Sequence, residues 1–184
     1  MGGRSVKPLQ NILREKETDL DSCLRRAGAL SALIQIGSKA ALDAAHVGFD
    51  DPAGSIRIAA ARAVSLHCNT AQGHKGIAAK LRDYLEHDGR RDVRIAAAIA
   101  LGRIGDKLAI PLLSSLATGG TTEAMRLAAA SALADPNIGQ VDHLADALQS
   151  PDIGVRLRAA QALGQSENVN AIDPLISILA DGNA

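Results

Sequence analysis

The chain is poor in aromatic side chains: of 184 residues only Phe49 and Tyr84 carry a phenyl ring, and there is no tryptophan. That excludes a core built on large rings, and it leaves little with which to stack bases or hold a large conjugated ligand. Cysteine is scarce as well. Cys23 and Cys68 form no metal-binding or redox spacing and read as free thiols of a reducing compartment. No apolar run approaches the roughly 18 residues of a membrane span, and the opening MGGRSVKPLQ lacks the apolar stretch of a secretory signal. The 20 basic and 20 acidic residues cancel, so no long-range field draws the chain toward nucleic acid or an anionic membrane. The expected location is cytoplasmic. Neither a Gly-x-Ser-x-Gly nucleophile turn nor a glycine-rich phosphate loop closing on Lys-Ser/Thr is present, so no catalytic residue is assigned.

What the chain has instead is alanine, 35 of them, and one phrase written five times. Its clearest copy runs from Val93 to Gly105 (VRIAAAIALGRIG), and the phrase recurs at Arg26, Arg57, Arg94, Arg126 and Arg156, with steps of 31, 37, 32 and 30 residues. Repeats of that length build a solenoid in which each supersecondary unit packs on its neighbours. In the third copy Val93, Ala97, Ala100, Leu101 and Ile104 form an apolar stripe on one helix face. Gly37 and Gly105 fit helix C-caps. These B helices are expected over about 24–36, 54–67, 92–104, 122–133 and 153–164. A second pattern, as in Ala109-Ile110-Pro111-Leu112-Leu113 and Ala171-Ile172-Asp173-Pro174-Leu175, gives A helices over about 5–15, 39–48, 75–86, 107–117, 140–149 and 170–180. Proline is tolerated in their first turn because the N–H it lacks would be unpaired there. The last A helix has no B helix after it, and Ile172, Leu175, Ile176, Ile178 and Leu179 call for a continuing array or another chain to cover them.

The phrase Arg-x-Ala-Ala-x-x-Ala-Leu-x-x-Ile-Gly after an Asp/Pro turn, followed by an Ile-Pro-Leu-Leu helix, resembles the HEAT-like repeat, in particular the short, Ala-rich bacterial variety of phycobilisome lyases. The resemblance spans essentially the whole chain. It implies an all-α, right-handed α-solenoid, a superhelix of HEAT-like helical hairpins. It also implies one domain over 1–184, with repeats at about 1–37, 38–67, 68–105, 106–138 and 139–168 and a half repeat at 169–184. Its B helices are expected to line the concave side. Two departures stand out. Extra residues at His67–His74 and Glu86–Arg91 lengthen the second unit, and the fourth copy ends Ala134-Asp135-Pro136-Asn137, where Pro136 should stop the helix about a turn early.

The repeated Arg26, Arg57, Arg94, Arg126 and Arg156 each lie near an acid: Asp21, Asp51, Asp88 or Asp92, Glu123 and Asp152. An Arg in register with the repeat that brings its acid with it reads as a ladder tying adjacent turns rather than as a basic stripe for an anionic partner. Counting Arg as position 0, positions +5 and +9 share an exposed B-helix face. They read Ser31, Arg62, Ile99, Ser131, Gln161 and Gln35, Leu66, Arg103, Asp135, Gln165. A regular scaffold that varies at two columns places recognition there. Arg62, Leu66, Ile99, Arg103, Ser131, Gln161 and Gln165 are therefore the expected partner-binding residues, an apolar centre with charged flanks suited to a protein.

His67, Cys68, His74 and His87 form one local cluster, read as solvated loop residues, and no metal or cofactor is expected. Among HEAT-like enzymes the deoxyhypusine hydroxylases hold a di-iron centre through His-Glu pairs; this chain has no His-Glu step, so that activity is not expected. The expected function is a non-enzymatic scaffold or adaptor that binds a protein, not nucleic acid or membrane. Self-association through the C-terminal helix is a further expectation. The alternatives are a phycobilin lyase or chromophore chaperone, and a regulatory array of a larger protein; the fold alone does not choose among them.

Overall fold

The computed structural model describes residues 3–15, 17–36, 38–67, 75–134, 141–166 and 168–180. Among them are eleven α-helices and two short 3₁₀ turns, with no strand. The chain folds as two compact units, Met1–Ala100 and Leu101–Ala184.

The first unit contains α1 (Gly3–Leu13), α2 (Leu20–Ile36), α3 (Ser38–Gly48), α4 (Gly54–Leu66), α5 (Lys75–His87) and most of α6 (Arg91–Arg103). Here α1, α2, α3 and α4 pack as successive neighbours, and α2 also meets α4. Leu30, Leu33, Leu42, Ile56, Val64, Ile77, Leu81 and Val93 form the buried apolar layer, filled in by Ala41, Ala45, Ala60, Ala61 and Ala97. Alanine lets the axes come close; a Cβ on Gly48 would lie 3.1 Å from that of Ala60. The two rings of the chain meet edge to face, Phe49 on Tyr84 at 5.7 Å, and the Arg57 guanidinium lies 5.9 Å over the Tyr84 ring. Burial pushes the Tyr84 phenol above its ordinary 10.0, and its hydroxyl has no hydrogen-bond partner among the described residues.

The second unit opens on the end of α6 and continues through a 3₁₀ turn (Lys107–Ala109), α7 (Ile110–Gly119), α8 (Glu123–Leu133), α9 (Val141–Ala147), α10 (Ile153–Gln165), a second 3₁₀ turn (Val169–Ala171) and α11 (Ile172–Ala180). Gly105, at φ 81°, ends α6 in a Schellman motif: its N–H donates to Gly102 O and that of Asp106 to Leu101 O at 2.9 Å. Gly102 is buried where a Cβ would stand 2.7 Å from Leu113 Cδ1 and 2.8 Å from Ala132 Cβ, so its missing side chain sets the packing of α6 on α7 and α8.

The helices match the expected order closely. Two differences have local causes. Asp19 accepts from Ser22 N at 2.9 Å and starts α2 four residues before Leu24, and that same bond holds the Asp19 carboxyl below its usual range. Asp106 and Asn168 accept from Leu108 N and Asn170 N at 3.1 and 3.0 Å, which sets a 3₁₀ turn ahead of α7 and of α11. The Gly37 cap, the Cys68–His74 insertion and the Pro136 break lie outside the described residues.

Candidate functional site

Each repeated arginine holds its own loop. Its Nη1 donates back to a carbonyl of its own loop, six residues upstream in four copies: Arg57 to Asp51 O at 2.9 Å, Arg94 to Asp88 O at 2.6 Å, Arg126 to Gly120 O at 2.6 Å and Arg156 to Ser150 O at 3.1 Å. In the first copy the acceptor is Glu17 O at 2.6 Å. Three of the five also reach forward to the acid of the next repeat. Arg26 meets Asp51 at 2.7 Å, Arg57 meets Asp88 at 2.9 Å and Arg126 meets Asp152 at 3.2 Å. Each of these carboxylates also accepts a backbone N–H two residues on, from Ala53, Arg90 and Gly154. The acid is thus held in its own turn as well as by the arginine.

The pairing acid is the one that opens the following repeat, not the one preceding the arginine. Asp21, Asp92 and Glu123 are exposed and join no ion pair among the described residues. In sequence, the loop after Arg94 reads Gly119-Gly120-Thr121-Thr122 and offers no acid. Arg26, Arg57 and Arg126 thus tie successive loops together, while Arg94 and Arg156 hold only their own loops among the described residues.

The variable columns lie elsewhere on the B helices. In the first unit Ser31, Gln35, Arg62 and Leu66 are exposed, Leu66 to 70%, while Ile99 is half-buried. In the second unit Gln161 and Gln165 are exposed, and Arg103 and Ser131 are half-buried. The Arg103 Nε is buried without a hydrogen-bond partner. Asp135 lies outside the described residues.

The histidine cluster is described only at its edges. His67 Nε2 lies 3.2 Å from Ile34 O and His87 Nδ1 lies 3.3 Å from Asp83. Among the described residues no three His, Cys, Asp or Glu side chains converge to hold a metal ion. No helix of the described residues is long and apolar enough to cross a membrane. One apolar surface went unread in the sequence. On α10, Ile153 and Leu157 stand exposed four residues apart, beside the exposed stripe of α11. The signal for it was the +1 column, which stays apolar after Arg57, Arg94, Arg126 and Arg156 (Ile58, Ile95, Leu127, Leu157).

Helical hairpins that recur every 30 to 37 residues, three of them carrying an arginine into the next loop, define an α-helical repeat protein. The model for HEAT repeats matches residues 49–134, and that for the PBS lyase HEAT-like repeat matches 155–181. The chain is a HEAT-like repeat protein. Among solved structures it is similar to human deoxyhypusine hydroxylase in complex with glycerol, at 20% identity and a TM-score of 0.50, over 94% of this chain and 66% of that one. At that identity the likeness concerns the fold. No curated protein matches this chain.

Proposed function

We propose that this chain is a non-enzymatic protein-binding scaffold that recognises its partner through the +5 and +9 positions of its B helices. One observation carries the reading: the arginines that recur bond their own loop or the next one, while most side chains that vary between repeats stand at the surface. Constant parts hold such an array together and variable exposed parts give it a partner. Arg62 and Leu66, one turn apart on α4, supply a cation beside an exposed apolar side chain. On this reading there is no catalytic residue and no cofactor. The absence of any His-Glu step separates the chain from the hydroxylase chemistry named for its structural neighbour.

The test is affinity capture from the native lysate with the wild-type chain and with a Leu66→Asp, Arg62→Glu variant, reading eluted proteins and the visible absorption spectrum together. One enriched protein, lost with the variant while circular dichroism is unchanged, is the expected result. Capture indifferent to the variant overturns the assignment of the face. A second reading, bilin handling, is favoured by the PBS lyase HEAT-like match over 155–181. A coloured eluate would make it the leading one.

A further inference from the structure

In the first unit α2 and α4, the B helices of successive repeats, pack against each other. Together they carry four arginines, Arg25, Arg26, Arg57 and Arg62, and a single acid, Asp21, in the first turn of α2. Three of these arginines meet carboxylates of the chain. Arg26 pairs with Asp51 at 2.7 Å, Arg57 with Asp88 at 2.9 Å, and Arg25 with Glu15 at 3.1 Å and Glu17 at 3.8 Å. Arg62 is exposed and meets no carboxylate among the described residues. One turn on, Leu66 is 70% exposed. The same +5 and +9 positions of α2 hold Ser31 and Gln35, exposed and uncharged. At Gly28, the +2 position of α2, an added Cβ would meet nothing within 4 Å, and the matching residue of α4 is the half-buried Ala59. Asp21 lies ten residues before Ser31, about 15 Å along the helix, so no carboxylate of α2 or α4 reaches this part of the face.

We propose, resting on the reading of the B-helix face above, that the first unit takes an acidic amphipathic helix of a partner protein, laid across α2 and α4. A carboxylate of that helix pairs with Arg62, and an apolar side chain one turn away on it covers Leu66. Charge complementarity fixes the sign of the partner. Every other arginine of the two helices has its carboxylate within the chain, and Arg62 alone presents its charge on a neutral, small and apolar surface. The guanidinium fork suits a carboxylate bound through two parallel hydrogen bonds. A neutral or basic helix in the same place would strip water from Arg62 and return no counter-charge, and that cost gives the face its selectivity. Gly28, Ser31 and Ala59 are small enough for the axis of an incoming helix to come close. Helices α2 and α4 offer no strand edge, so side chains spaced one turn apart select a helix rather than an added strand. Burial of Leu66 supplies attraction, and Arg62 sets orientation and partner choice.

The probe is a displayed library of alanine-based helical peptides, randomised at i, i+3, i+4 and i+7 and selected on the intact chain. The selected peptides are then titrated by fluorescence anisotropy. They should carry an acidic residue one turn from an apolar one. Arg62→Gln in the protein should weaken their binding by about tenfold, and exchanging the peptide acid for its amide should do the same, with little further loss when the two are combined. Arg62→Glu should recover binding when the peptide acid is replaced by lysine. Both side chains are exposed, so helicity and the unfolding midpoint should not change in the Arg62 and Leu66 variants. Failure to enrich any peptide, enrichment of basic ones, or binding indifferent to Arg62→Gln overturns the proposal. Among these, peptides lost with Leu66→Asp but not with Arg62→Gln leave the B-helix face standing and remove only its acidic partner. Peptides indifferent to both variants remove the face as well.

Discussion

The two compact units use one phrase with different weights. In the first, Arg26 and Asp51 are enclosed, their side chains 0% and 3% exposed, and two donors of the guanidinium meet both carboxylate oxygens at 2.7 and 3.3 Å. In the second, Arg126 reaches Asp152 with a single contact at 3.2 Å, at 20% and 7% exposure, and its Nε is left without a partner. The same residue pair is therefore a committed core element at Arg26 and a partly solvated tie at Arg126, and Arg57–Asp88 of the first unit, 16% and 5% exposed, resembles the latter. A buried pair returns its desolvation cost only while both members are present, whereas a wet pair is cheap to make and cheap to lose. The units differ likewise at their ends. The first unit's helices bury aliphatic layers and both rings of the chain, while α11 in the second buries nothing.

The sharpest way to break this comparison is to cut both ties. Arg26→Ala should cost about 3–5 kcal/mol, because Asp51 is left buried and uncompensated. Arg126→Ala should cost about 1–2 kcal/mol, discounted for solvent at Asp152. Urea unfolding of each variant reads the difference; equal losses would mean that burial does not set the weight of the tie.

Glycine positions make a second contrast, with opposite signs. Gly102→Ala in the second unit should destabilise by about 1–3 kcal/mol, since the new methyl meets Leu113 and the Cβ of Ala132, which is anchored to backbone. Gly28→Ala in α2 meets nothing within 4 Å and should stabilise by about 0.5–1 kcal/mol through lower unfolded-state entropy. A shared sign in thermal melts would show that helix propensity, not local space, governs both.

The repeat made the architecture legible, because apolar spacing, an arginine in register and a closing glycine all agree on the same helices. Where the sequence reading slipped, a side chain had acted on the backbone nearby. The Asp19 cap extends α2 backward, and Asp106 and Asn168 fold 3₁₀ turns that no hydrophobic period announces. Arg26, Arg57 and Arg126 do meet acids, but the acid to which each belongs was not legible in the sequence, and Arg94 and Arg156 meet no carboxylate among the described residues. Asp51 is adjacent in sequence to the repeat it opens and adjacent in space to Arg26, 25 residues earlier. Exposure at the +5 and +9 columns followed the helical period only in part. Ile99 and Arg103 share register with Arg62 and Leu66 yet are half-buried, because burial at a given register depends on what the neighbouring helices place over it.

The smallest expected effect concerns acid. Burial alone would raise the Asp88 carboxyl, but the hydrogen bonds from the Arg57 guanidinium and from Arg90 N, with the charges of Arg57 and Arg94, outweigh it and hold the group below its ordinary 3.8. A carboxyl with a depressed folded-state value binds protons more readily when unfolded. The stabilisation from Asp88 is therefore full above the unfolded value and is lost as pH falls through the folded one. Unfolding midpoints of the wild-type chain should decline as pH drops below about 4, the unfolded value of a carboxyl of this kind. Asp88→Asn keeps an oxygen for Arg90 N but removes the titrating group, so its midpoints should decline less steeply over the same window. Parallel curves would place the acid sensitivity elsewhere in the ladder, and the buried Arg26–Asp51 pair would be the next to cut.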